Sequence, residues 1–342
     1  MKALTRILCF LLASFATNSS LWADHIISPK TEYVFIGVPK KIQLANGMGH
    51  ANVWSEKIKL EDGIDLSGKS LKGVSIQWGE GTLKNVNFSK SWLPEADFSQ
   101  TGFENCDFSD AKLDGAVFDG RVFGCNFTDA TISRAHLTGF LREQLESTRN
   151  CSHLKDLSRC SFAYCDFSGI NFSNFDLSYA KFDSTWVKDC DFTDARIAGI
   201  QFLNYAWGGM PITQKPKIEQ LLSTKDFKEG FVKNIYVTDM VWPDHVVDLS
   251  NMVFIDCHFG WMIFPFTTNG GLPDYEAVKK LPDSAFAKID LTDSVISGCN
   301  FKYFLGLTLE NVKSTWNYKH GRMEGILLPE EIQQALDTEK GE

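Results

Sequence analysis

The sequence predicts an all-β fold: a β-solenoid of four-sided coils carrying short helical inserts, with a cap at each end. Three observations carry this prediction. In "CSFAYCDFSGINFSNFDLSYAKF", residues 160–182, the apolar residues Phe162, Phe167, Phe172, Leu177 and Phe182 stand five apart. A small residue, usually Ala or Cys, lies two places before each such centre, as Ala96, Ala111, Ala130, Cys165 and Ala180 do. The place just before the centre is often Asp or Asn (Asp97, Asp107, Asn126, Asp166, Asn171, Asp191), and the place just after is often Ser or Thr. On an α-helix, five residues advance a side chain by about 500°, so no face forms. On a straight strand, a step of five alternates between the two sides of a sheet. The pattern is coherent only if the chain turns a corner every five residues. Four corners then close a coil of about twenty residues, and coils stack at about 4.8 Å, the ordinary strand spacing. The small residue lets neighbouring coils approach, and the Asp, Asn, Ser and Thr side chains satisfy the backbone of the corners.

In chain order, residues 1–23 read as a secretory signal. Lys2 and Arg6 precede an apolar run from Ile7 to Ala16, which is too short to cross a bilayer, and cleavage fits after Ala16 or after Ala23. The mature chain is therefore expected outside the cytoplasm, periplasmic or extracellular, with no stable membrane insertion. Residues 24–63 lack the period of five and are expected to cap the first coil, because an open solenoid end exposes unpaired backbone. Centres then fall at 66, 71 and 76, at 83 to 123 in steps of five, and, after a one-residue slip, at 127, 132 and 137, giving repeat coils over 64–140. They resume at 157 to 202 (coils 157–204) and, interrupted, at 249 to 264 and 286 to 301 (coils 249–306). Most of the 27 Phe fall on these centres, and Phe98, Phe103, Phe108, Phe162, Phe167, Phe172, Phe182 and Phe192 are expected to form an inward ladder.

Units such as "ADFSQ", "CDFSD", "AKLDG", "CDFSG" and "CDFTD" resemble the A(D/N)LXX motif of the pentapeptide-repeat family. The resemblance covers roughly residues 64–305, with interruptions. It departs from the motif in favouring Phe over Leu at the centre and Cys over Ala nearby. It implies a right-handed quadrilateral β-helix, a pentapeptide-repeat solenoid, and a habit of binding proteins rather than a reaction. The best-studied relatives are cytoplasmic DNA mimics that protect gyrase.

Where the period is lost, at 141–156, 205–248 and 307–342, a second pattern occurs. "EQLEST" (Glu143, Ser147, Thr148), "EQLLST" (Glu219, Ser223, Thr224) and "ENVKST" (Glu310, Ser314, Thr315) are three copies of E-(Q/N)-(L/V)-x-S-T. Apolar residues four apart, such as Leu141 and Leu145 or Ile218 and Leu222, suggest a short helix laid on the coil. Covering a corner and resetting the register is the favoured role, ahead of a dedicated binding role. Pro329 opens a last helix in "PEEIQQALDTEK", with Ile332 and Leu336 four apart; it is expected to cap the solenoid, with a homodimer through this helix as the alternative.

Eight Cys follow the signal, and seven (Cys106, Cys125, Cys160, Cys165, Cys190, Cys257, Cys299) occupy the small position, where they read as core residues. Only Cys106 and Cys125 fall one above the other, so whether they pair stays open. The seven His are scattered and no Cys or His spacing suggests a metal, so no cofactor is expected. Carboxylates are spread one per corner, as turns require, rather than clustered as a polysaccharide-active β-helix enzyme would need.

The net charge is −9, and loss of Lys2 and Arg6 makes it two units more negative, which disfavours nucleic acid as a partner. DNA mimicry is also poorly supported: duplex DNA would place about eight negative charges along three coils, whereas residues 83–137 hold eight acidic and five basic residues. Trp92 and Trp186 precede centres while Trp78 and Trp261 lie two beyond them, so all four should point outward. Trp92, Trp186 and Trp261 are the candidate surface for a protein or glycan partner. The resulting expectation is a secreted, non-enzymatic interaction scaffold.

Overall fold

The computed structural model describes residues 33–36, 40–43, 50–53, 56–76, 81–99, 101–203, 216–238, 240–260 and 287–340. The proposed signal, Trp78, Trp261, Phe264 and Phe286 lie outside the described residues. At the N-terminus, strands Tyr33–Ile36 and Glu56–Lys59 pair antiparallel, as do Lys40–Gln43 and His50–Val53. Leu60 then joins the core, and the Gly63 amide donates to the Lys84 carbonyl, so this region leads directly into the first coil.

From residue 64 onward the pairing is parallel and falls into four columns. Column one holds the centres Leu83, Phe103 and Val122. Column two follows the bridges Asp65↔Asn87↔Asp107↔Asn126, and column three Ser70↔Trp92↔Lys112↔Thr131, each one residue before a centre. Column four is a seven-stranded parallel ladder through the centres Phe118, Leu137, Phe162, Phe182, Phe202, Val237 and Phe259. Successive coils are thus joined edge to edge as in a β-helix. The Phe108 amide, for example, donates to the Asn126 carbonyl (2.8 Å), and the Asn126 amide to the Cys106 carbonyl (3.0 Å).

The ladder expected from the sequence is the core. Phe98, Phe103, Phe108, Phe162, Phe167, Phe172, Phe182 and Phe192 are all buried. Because centres in one column are in register, their rings stack: Phe88 on Phe108 at 4.8 Å and 6°, and Phe108 on Phe127 at 5.1 Å and 2°. Rings of adjacent columns meet edge to face, as Phe162 and Phe167 do at 5.1 Å and 81°.

The corners explain the polar positions. The second residue after a centre takes a left-handed conformation, for example Asp110 (φ 57°), Asp129 (φ 56°), Asn174 (φ 61°) and Asp194 (φ 57°). The Asp or Asn before the centre accepts from the amide two residues on. Ser99 donates to Asp97 Oδ1 (2.9 Å), Ser109 to Asp107 Oδ1 (2.9 Å) and Thr193 to Asp191 Oδ1 (2.8 Å). These are Asx turns. Hydrogen bonds from Thr193 hold the Asp191 carboxyl below the usual carboxylate range.

Two expectations are corrected. Phe123 is not a centre: it is 70% exposed, and Val122 is the buried partner of Phe103. The one-residue slip therefore falls between Phe118 and Val122, where a Cβ on Gly120 would run into the Thr101 carbonyl, so only glycine allows the tighter corner. The 205–248 segment is not all insert. Strands Phe231–Lys233 and Tyr236–Thr238 rejoin the coil, with Val232 and Val237 as buried centres and Trp242 following in the core. Their Val and Trp centres, in place of Phe or Leu, hid them from the pattern.

At the C-terminus the Leu327 amide donates to the Cys299 carbonyl (3.0 Å), adding one more rung to column four. Helix Glu330–Lys340 follows and buries Ile332 and Leu336 in the chain's own core.

Candidate functional site

The three inserts share one construction. The first contains helix Arg142–Ser147 and a π-helical turn Asn150–Leu154; the second has helices Ile218–Leu222 and Lys225–Lys228; the third has Leu309–Ser314 and Trp316–Lys319. Each takes the place of a column-two segment. Gln144 Oε1 accepts the Leu141 amide (3.0 Å), while its Nε2 donates to the Val122 (2.8 Å) and Cys125 (3.2 Å) carbonyls of the coil below. Gln220 repeats this with the Lys217 amide (2.8 Å) and the Val187 (3.1 Å) and Cys190 (2.8 Å) carbonyls. Asn311 does so with the Thr308 amide (3.0 Å) and the Ile289 carbonyl (2.8 Å).

The Ser-Thr pair closes each helix. Ser147, Ser223 and Ser314 donate to the carbonyls of Gln144 (2.8 Å), Gln220 (2.7 Å) and Asn311 (2.8 Å). Thr148, Thr224 and Thr315 are fully buried and donate to Leu145 (2.7 Å), Leu221 (2.6 Å) and Val312 (2.7 Å). In contrast, Glu143, Glu219 and Glu310 are exposed in the first helical turn, where a carboxylate suits the N-terminal end of the helix dipole.

The motif extends two residues beyond the Thr. Two residues past the Thr, Asn150 Oδ1, Asp226 Oδ2 and Asn317 Oδ1 accept the amides of Ile132 (2.8 Å), Ile197 (2.8 Å) and Ile296 (2.7 Å), standing in for the carbonyl that the next coil would supply. The signal was present: "EQLESTRN", "EQLLSTKD" and "ENVKSTWN" all end on Asn or Asp. A second hidden partner is the corner residue beneath. Asp129, Asp194 and Asp293 donate their amides to Ser147, Ser223 and Ser314, and their carboxylates face His153 (3.7 Å), Lys228 (2.8 Å) and Lys319 (2.7 Å).

Two coils, centred on 167–182 and 187–202, separate the first insert from the second. The inserts stand as ridges, and the space between them is a cavity of about 650 Å³. One wall is Leu154 and Lys155, the other Lys225, Lys228 and Glu229; the floor holds Asp156, Asp176 and Arg196, adjacent in column three. Lys228 pairs with Asp194 and Lys225 with Glu229 (3.7 Å), whereas Arg196 and Lys155 are exposed and make no ion pair within 4.0 Å among the described residues. Asp156 and Asp176 each accept a turn amide, from Ser158 (2.9 Å) and Ser178 (2.9 Å).

Trp92 and Trp186 do not share a surface. Trp92 is 43% exposed in column three, with Lys72 Nζ 5.8 Å from its ring centre. Trp186 is half-buried in column one, on the bridge Leu141↔Asp166↔Trp186, two corners away. Cys257 points inward and is buried, while the outward His258 stacks on Tyr236 at 3.9 Å. No group of three or more potential metal ligands occurs among the described residues.

A pentapeptide-repeat family model matches residues 83–120 and 156–194 in eight copies. Among solved structures, the chain is similar to HetL, a pentapeptide repeat protein involved in heterocyst differentiation regulation from Nostoc sp. (13% identity, 79% of this chain and 91% of that one, TM-score 0.26). It is also similar to QnrB1, a plasmid-mediated fluoroquinolone resistance protein (12% identity, 79% and 96%, TM-score 0.20). A further match is a pentapeptide repeat protein from the Arabidopsis thaliana thylakoid lumen (20% identity, 40% and 66%, TM-score 0.11). A comparison with curated proteins finds no match.

Proposed function

We propose that this pentapeptide-repeat protein is an exported, non-enzymatic scaffold, a right-handed quadrilateral solenoid that holds a segment of a partner protein between its first two inserts. The observation that carries the reading is the cavity bounded by these ridges, with Arg196 and Lys155 unpaired in it. A guanidinium presents a fork of donors matched to a carboxylate. The occupant that fits is therefore a peptide segment bearing an acidic side chain or a chain end. Export is supported by Lys2, Arg6 and the apolar run that follows them. The aspartates outside the cavity are tied to corner chemistry, which argues for structure rather than catalysis or a phosphate-like charge repeat.

The test is charge reversal. Arg196→Glu with Lys155→Glu should abolish capture of the partner from the exported fraction while leaving the melting curve unchanged, because both side chains are exposed. Trp92→Ala should leave capture intact. If capture survives the double reversal and fails with Trp92→Ala, the exposed aromatic of column three is the docking surface instead.

A further inference from the structure

We infer that the chain carries two built sites for covalent cross-linking between neighbouring coils, Cys106 with Cys125 and Cys257 with Cys299, each closing to a disulfide by exchange with an oxidised low-molecular-weight disulfide. Both pairs occupy the small inward position of the same column in successive coils. The Cys106 carbonyl accepts the Asn126 amide at 3.0 Å, and Phe108 stacks on Phe127 at 5.1 Å directly beside the first pair. At the second pair, the Cys257 carbonyl accepts the Asn300 amide at 2.8 Å, and Phe259 stacks on Phe301 at 5.5 Å. In-register residues on adjacent coils stand about 4.8 Å apart at Cα, inside the range of roughly 4.4 to 6.8 Å that a disulfide bridges. All four thiols are buried.

The second pair is invisible to sequence spacing. The segment between residues 260 and 287 separates Cys257 from Cys299 along the chain, yet they fall one above the other. The remaining thiols form an internal control. Cys160 sits between Ala135 and Ala180 in its column, Cys165 has Thr185 above it, and Cys190 has Ile170 beneath it. Cys151 belongs to the first insert.

The chemistry balances with glutathione disulfide as oxidant. One thiolate of a pair attacks a glutathione sulfur, forming a mixed disulfide and releasing one glutathione thiolate. The second thiolate displaces the other glutathione, so two protein thiols become one disulfide, two protons leave and the two electrons reside on two glutathione thiols. Since all four sulfurs are buried in the folded chain, closure accompanies folding or a local opening of the coils.

The experiment refolds the mature chain, from residue 24 and so without Cys9, in glutathione disulfide with a little reduced glutathione, quenches with acid, and alkylates under denaturing conditions before peptide mapping by mass spectrometry. Four alkylated cysteines are expected (Cys151, Cys160, Cys165, Cys190), with the peptides of Cys106 and Cys125, and of Cys257 and Cys299, each joined. Cys106→Ala should free Cys125 alone, and Cys299→Ala should free Cys257 alone, with the other bridge retained. Eight alkylated cysteines after oxidative refolding, or bridges involving Cys160, Cys165 or Cys190, would overturn the assignment.

Discussion

Replacing Asn150 with Leu isolates the bond by which an insert latches onto the coil. Asn150 is 1% exposed, accepts the Ile132 amide at 2.8 Å, and donates to the Asp156 carbonyl (2.9 Å) and Ser133 Oγ (3.1 Å). Leu has nearly the same shape, so no cavity is opened. What it leaves is an unpartnered amide and an unpartnered carbonyl, each costing about 1 to 3 kcal/mol when buried, or about 2 to 6 kcal/mol together. Asn150→Asp keeps the acceptor, as Asp226 does naturally toward Ile197, and should lose about 1 to 3 kcal/mol. A repeat array opens in parts, so the readout is local: amide exchange at Thr131, which donates to Ala111 of the preceding coil, and at Ala135, which donates to Ile132. A loss of 3 kcal/mol would speed exchange there by about 10²-fold. If Asn150→Leu leaves exchange and the denaturant midpoint unchanged, the side chain is not the latch and the shared motif has another purpose.

The core and the thiols give further tests. Phe167→Ala or Phe172→Ala removes a fully buried ring and should cost about 3 to 5 kcal/mol in denaturant melts; a loss under about 1 kcal/mol would contradict the register. Trp92→Ala should change stability by less than about 1 kcal/mol, and iodide should quench Trp92 fluorescence in the folded protein, since the ring is open to solvent. Burial pushes the thiols of Cys160, Cys165 and Cys190 up to about 12 and that of Cys151 to about 11. A thiol raised in the folded state ionises first in the unfolded chain, so its contribution is intact below the unfolded value of about 8.5 and is lost as pH rises toward the folded value. Reduced protein should therefore lose stability between about pH 9 and 12, by up to about 1.4 kcal/mol per pH unit for each such thiol. Cys160→Ala should flatten that slope relative to wild type in urea melts; equal slopes would mean that Cys160 already titrates near its ordinary value.

The solenoid was legible because its signal is redundant. Every corner repeats the same three requirements, so Phe167, Cys165 and Asp166 each announce the same register independently. Phe123 misled because a lone apolar residue at the expected count outweighed the glycine next to the true slip, and Gly120 reveals itself only against the Thr101 carbonyl of the coil below. Val232 and Val237 look like parts of an ordinary strand because Phe231 and Tyr236 stand where a corner Asp or Asn would precede the centre. The candidate cavity was not legible at all. Arg196 and Lys155 are 41 residues apart in sequence and become neighbours only because Asp156, Asp176 and Arg196 stack in one column.

That difference has a physical basis that bears on function. A uniform solenoid face presents the same column of side chains at every rung, so its surface varies only one residue at a time, and its carboxylates are fixed by the corners. An insert breaks that uniformity: it raises a ridge, and two ridges with two coils between them enclose a space that no repeat unit makes alone. The latch by Asn150, Asp226 and Asn317 keeps each ridge in register with the coil, so the first two ridges have a fixed spacing, about 14 Å centre to centre over three rungs. An α-helix with its side chains is about 10 to 12 Å across and an extended strand is narrower. The two coils between the ridges leave a free span of about 10 Å at most, which admits an extended strand, whereas a helix with its side chains or a folded domain does not fit. A partner should therefore engage the cavity with a single extended strand, and a synthetic peptide of that segment should compete for binding as well as the whole partner does. If only the intact partner competes, recognition depends on a broader face of the solenoid and the ridges serve the register alone.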